Sequence, residues 1–212
     1  CRAADQPSFP VAWEVTTGVQ SPESVYFDAA SGFVFVSNIG DGGPTGKDGD
    51  GFLSKLTPDG KVIAAQWITG LNAPKGIRSS GGRLWVSDID QLIGVDIAQG
   101  KIVERVPVPD AEFLNDVACD AQGAVYVSDM TKNKIHRYRD GKLSVFAEGE
   151  DVENPNGLLV VGNHVAMGTS LAMPARVYTL SPTGGVINPA SIMRTATTPN
   201  QMGLKPSLRT AG

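Results

Sequence analysis

Four polar residues stand near the heads of four similar stretches: Glu23 in SPESVYFD, Lys75 in APKGIR, Asn115 in LNDVACD and Asn156 in NPNGLLV. They are 52, 40 and 41 positions apart, and Asp116 follows Asn115. Carboxylate and amide oxygens are hard donors suited to a hard cation or a proton, and Lys75 sets a cation of its own among them. Softer chemistry has no such basis. Cys1 and Cys119 are too far apart for a CxxC-type ligand pair, and neither His136 nor His164 has a partner triad in view. The acidic loop IGDGGPTGKDGDG (39 to 51) carries Asp41, Asp48 and Asp50, but Phe52 and Leu53 stand where an EF-hand would need a third acidic ligand and a Gly.

The elements that must position these residues are read from repetition. PESVYFDAASGFVFVSN (22 to 38), PKGIRSSGGRLWVSD (74 to 88), LNDVACDAQGAVYVSD (114 to 129) and PNGLLVVGNHVAMGT (155 to 169) share a polar start, an apolar strand, a Gly-containing turn and a second strand. Each is followed by two more strands around a tight turn, as in FLSKLTPDGKVIAAQWI and KIHRYRDGKLSVFA. Four Val-, Ile- and aromatic-rich strands in about 40 residues, with Asp-Gly or Gly-Gly turns and nothing helical, predict an all-β fold: a β-propeller of four-stranded antiparallel blades. The short turns then share one face. The longer loops share the other, so Glu23, Lys75, Asn115 and Asn156 should ring a central channel at its mouth, under the loop 39 to 51.

Asn38, Asp88 and Asp129 end the second strands and are candidate channel-mouth residues as well. The alternative for them is turn fixing, since Asn and Asp bond their own backbone at strand ends. The same alternative holds for Asn115 and Asn156. Cys119 reads as a small core residue and the two histidines as structural or solvent-facing.

SPESVYFD, NDVACD and NPNGLLV resemble the opening motifs of the senescence-marker-protein/gluconolactonase-like (regucalcin-like) six-bladed β-propellers, over roughly residues 12 to 185. The resemblance implies a divalent ion in the channel, Ca²⁺ or a similar cation, held by Glu23, Asn115 and Asn156. It implies Asp116 as the catalytic base and a lactone or related ester as the small-molecule substrate. Two departures stand against it. Lys75 places a cation in a ring that should attract one, and the family's further Asp from a later blade has no recognisable counterpart. Strand ends of the VSD type also suit NHL-type repeats, which implies the alternative of a non-catalytic ligand- or protein-binding module.

The net charge of −4 and isoelectric point near 5.2, without a long basic run, argue against nucleic acid or an anionic membrane surface as a partner. Cys1 before the polar RAADQPSFP looks like a bacterial lipoprotein cut at its lipidated cysteine, so periplasmic or extracellular residence with an anchor at Cys1 is one expectation; an accidental first residue is the other. Residues 1 to 10 read as an extended leader and 11 to 185 as blades. Within that span, 11 to 16 should be an outer strand of the last blade. The stretch 186 to 212 has no Asp, Glu or aromatic residue and reads as an irregular tail or decayed fifth blade, or else as a truncated or frame-altered C-terminus, the reading preferred here. A six-bladed ring would need roughly 250 residues, and an unclosed ring would leave edges free to pair with another copy.

Overall fold

The computed structural model describes residues 10 to 169 and the backbone of two short strands, Val177–Leu180 and Val186–Ile187. Four blades follow one another along the chain. The first holds β1 (Pro22–Asp28), β2 (Phe33–Asn38), β3 (Gly51–Leu56) and β4 (Val62–Leu71). The second holds β5 (Pro74–Ser80), β6 (Arg83–Asp88), β7 (Gln91–Asp96) and β8 (Lys101–Pro107). The third holds β9 (Leu114–Cys119), β10 (Val125–Asp129), β11 (Lys134–Arg139) and β12 (Lys142–Glu148). The fourth holds β13 (Pro155–Val161), β14 (His164–Thr169), β15 (Val177–Leu180) and β16 (Val186–Ile187). Every sheet is antiparallel and ordered as its strands occur in the chain, as the repeat predicts. A 3-10 turn, Glu150–Val152, is the one helical piece among the described residues.

The first strands are the inner ones: β1 lies beside β5, β5 beside β9 and β9 beside β13. Second strands are sandwiched between blades, so both faces of FVFV, LWV and VYV are buried and the strands read as continuous apolar runs. Phe35, Leu53 and Leu71 of the first blade pack against Ile77, Leu84 and Ile93 of the second. Trp85 and Leu92 of the second meet Val117 and Val127 of the third, and Tyr126 and Ile135 of the third meet Leu158 and Met167 of the fourth.

One expectation is corrected. Residues 11 to 16 form no strand. The segment 11 to 19 lies across the first blade instead: Val15 and Val19 pack on Val34, Val36 and Leu56, and the Ser54 hydroxyl donates to the Gly18 carbonyl at 2.7 Å. Trp13 covers the turn at Gly60, where any Cβ would lie 2.7 Å from the indole. The apolar residues of VAWEVTTGV are thus used as a cover for a sheet face and not as a ladder. His164, expected in a turn, opens β14, and His136 is buried in β11. Cys119 is half-buried against the core, and burial pushes its thiol up to about 12. Cys1 and the faint repeat at Pro199-Asn200 lie outside the described residues.

Candidate functional site at the channel mouth

Each inner strand breaks its pairing register at the residue singled out by the repeat. The shift falls between Pro22 and Ser24, between Pro74 and Ile77, opposite the Val127–Asp129 step at Asn115-Asp116, and between Pro155 and Leu158. In the first three blades a serine of the second strand bonds at the break. The Ser37, Ser87 and Ser128 hydroxyls accept from the amides of Ser24, Gly76 and Asp116 at 3.0 Å, in place of a ladder carbonyl. Such a bulge re-aims the side chain beside it. The same hydroxyls donate to the next blade: Ser37 to the Lys75 carbonyl at 2.7 Å, Ser87 to that of Asn115, and Ser128 to that of Asn156 at 2.8 Å. One serine therefore shapes the start of its own inner strand and staples it to the following one. The sequence reading missed this role, although the Ser of VSN, VSD and VSD was its signal.

In the fourth blade Gly168 occupies the serine's position. There the carboxylate of Asp116 reaches across from the third blade and accepts from the Leu158 amide at 2.7 Å, while its other oxygen accepts from Val117 at 2.8 Å. Asp116, expected as the base, thus ties two inner strands together. Gly76 permits the same closeness between the second and third blades, since a Cβ there would stand 2.6 Å from the Asp116 Cα.

Asn38, Asp88 and Asp129 are fully buried. Asn38 accepts from the Gln20 amide at 2.8 Å, Asp88 from Asn72 and Ala73, and Asp129 from Glu112 and Phe113. Each fixes the loop that leads into its own blade, which is the turn-fixing alternative. Their side-chain oxygens are engaged by backbone amides. Asn115 is buried, its amide near the Met130 sulfur at 4.0 Å, and Asn156 is half-buried.

Lys75 is the centre of the arrangement. Only 1% of it is exposed. Its Nζ donates to the Pro44 carbonyl at 2.8 Å and the Ala73 carbonyl at 2.9 Å, and lies 4.5 Å from the centre of the Phe113 ring. Burial lowers its pKa to about 8 against the pull of Asp88 and Glu23. Glu23 keeps an open side to solvent. Burial of its inner side raises its carboxyl, opposed by Ser24 and Lys75 and assisted by the nearby negative charge of Asp116. Asp116 is raised by burial too, opposed by the Leu158 and Val117 amides and by Arg78. Residues from three blades thus share one electrostatic neighbourhood, while no ligand geometry joins Asn115 or Asn156 to them.

The loop 39 to 51 folds over this point. Asp50 accepts from the Asp41 amide at 2.7 Å, Asp48 accepts from the Asp50 amide at 3.2 Å, and Lys47 pairs with Asp90 at 2.6 Å. Its acids hold the loop's own shape, and its Pro44 carbonyl sits on Lys75. For a divalent ion the donor set fits poorly, because the Lys75 charge already acts on Glu23 and the Asp116 oxygens are engaged. Among the described residues no three His, Cys, Asp or Glu side chains gather closely enough to hold an ion.

No family model matches the chain, and no curated protein does. Solved structures do. Virginiamycin B lyase from Staphylococcus aureus matches at 13% identity and TM-score 0.59, over 77% of this chain and 53% of that one. A chain of a nidogen/laminin complex matches at 16% and TM-score 0.58, over 82% and 65%. A streptogramin B lyase matches at 12% and TM-score 0.53, over 82% and 70%. The chain spans about half the length of the virginiamycin B lyase. At these identities the likeness is one of fold, and the chain has the fold of the β-propellers.

Proposed function

We propose that the channel mouth is an acid–base site for a small molecule, of the gluconolactonase-like kind, acting on a lactone or related ester without a resident metal. The observation that supports it is the clustering of three ionisable groups from three blades, Glu23, Lys75 and Asp116, each displaced toward neutrality. Groups perturbed by burial together with specific charged neighbours mark candidate functional sites. Glu23 is the group with an open side, so it takes the role first expected of Asp116. Its carboxylate accepts a proton from water as the water oxygen bonds to the carbonyl carbon. When the ring C–O bond breaks, the same proton passes to the departing alkoxide. The Lys75 ammonium stabilises negative charge developing on the carbonyl oxygen. It can do so directly once the Pro44 carbonyl yields its place.

The test is hydrolysis of a panel of γ- and δ-lactones and an aryl ester in the presence of chelator. Hydrolysis that falls about 100-fold or more in Glu23→Gln is the expected result. A panel left intact, or a Glu23→Gln variant as fast as the parent, contradicts the reading. A second reading, a non-catalytic binding mouth, draws on the engagement of Lys75 and Asp116 by protein partners. Under it, lactones would raise the melting temperature without being consumed.

A further inference from the structure

The mouth already contains a cation, and the chain supplies it. A divalent ion in an oxygen-lined recess neutralises carboxylates and takes carbonyl oxygens as ligands. Lys75 does the same with an ammonium. Two of its three N–H donors are used on the Pro44 and Ala73 carbonyls, and the charge lies against the Phe113 face. Asp88 and Glu23 provide the opposing charge. The residue is held at its other end as well, through its own carbonyl and Ser37. A lysine meant only for solubility would not be 99% buried with its amine fixed by two carbonyls and a ring.

We propose that the Lys75 ammonium is the resident cation of the channel mouth, standing in the place of a divalent ion and making the site indifferent to calcium. The ammonium is fixed by the Pro44 and Ala73 carbonyls and the Phe113 ring, so an ion ligated by Glu23 would meet the field of a buried charge that it could not displace without breaking both carbonyl bonds. One consequence is that the loop 39 to 51 is tied to this cation through Pro44, so the loop's position reports on it.

The inference shares its site with the proposed hydrolysis but does not rest on turnover. An inactive yet calcium-indifferent protein would sink the hydrolase reading alone. The experiment is calcium titration by calorimetry, with thermal melts in calcium and in chelator, on the whole chain and on Lys75→Met. The parent should show no saturable heat up to millimolar calcium and the same melting temperature in both buffers. Lys75→Met, freed of the ammonium whose charge acts on Glu23, should melt at least about 2 °C higher in calcium than in chelator. Saturable calcium binding by the parent overturns the proposal, and this arm holds even if the variant does not fold. A folded Lys75→Met that ignores calcium overturns it too, because the lysine would then occupy no ion's place.

Discussion

The interior of the arc of blades and its two ends are built from the same repeated phrase, yet they differ in what covers them. On β5 and β9, Ile77 and Val117 are completely buried against the neighbouring blades. On β1, Val25 and Phe27 are 67% and 52% exposed, and on β13 Leu159 and Val161 are 57% and 42% exposed. Cross-strand pairing puts Val25 beside Val36 and Phe27 beside Val34, on the face that Val15 and Val19 cover only toward β3. The inner strand is therefore not apolar for its own sheet's benefit. Its burial is conferred by the preceding blade, whose serine staple reaches forward to the start of the strand.

The largest test of this contrast is truncation on either side of it. Ile77→Ala should cost about 2–5 kcal/mol in urea unfolding, whereas Val25→Ala should change stability by less than about 0.5 kcal/mol. Equal losses would mean that β1 is covered as fully as β5.

Next in size is the pH dependence carried by Lys75. Its folded pKa, about 8, lies below the ordinary 10.5, so the folded state gives up its proton first. The cost of burying the charge is complete below pH 8 and vanishes as pH rises to 10.5, so stability should increase through that window. The ceiling is roughly 3 kcal/mol, from about 1.4 kcal/mol per unit. Tyr138, held up to about 12 first by its hydrogen bond to Glu104, and Cys119 oppose this at high pH. The difference between the parent and Lys75→Met removes their contribution. A flat difference curve would show that Lys75 is not buried as a charge.

The staple is worth less. Ser87→Ala strands the Gly76 amide and the Asn115 carbonyl and should cost about 1–3 kcal/mol. At Gly168 the nearest atom to an added Cβ is the Gly157 carbonyl, 3.9 Å away, so Gly168→Ser has room to rebuild the bond. It should stabilise by about 0.5–1.5 kcal/mol. A destabilising Gly168→Ser would break the equivalence of the four positions.

The fold was legible because strands, Gly turns and a 40-residue period are local properties, and four copies average out local ambiguity. Strand order and the inner position of β1, β5, β9 and β13 followed from turn lengths. The site was legible only as positions. That Glu23, Lys75, Asn115 and Asn156 begin the inner strands could be read. That Lys75 is sealed under Pro44, or that the Asp116 carboxylate bridges to Leu158, could not, because Pro44 and Phe113 come from loops outside the repeat. Residues 11 to 16 were misread for a related reason: an apolar segment such as VAWEVTTGV pairs or covers according to what lies beside it, and periodicity is silent on that. Asn38, Asp88 and Asp129 show the converse, since their local preference for fixing turns prevailed over their position near the mouth.

The meeting of blade starts around one buried ammonium is most directly tested by a double-mutant cycle between Glu23→Gln and Lys75→Met, read as unfolding free energies at pH 7. The two residues are 52 positions apart in the chain and in different blades. A coupling of about 0.5 kcal/mol or more is the predicted result. Effects that simply add would mean that Glu23 and Lys75 do not share the mouth.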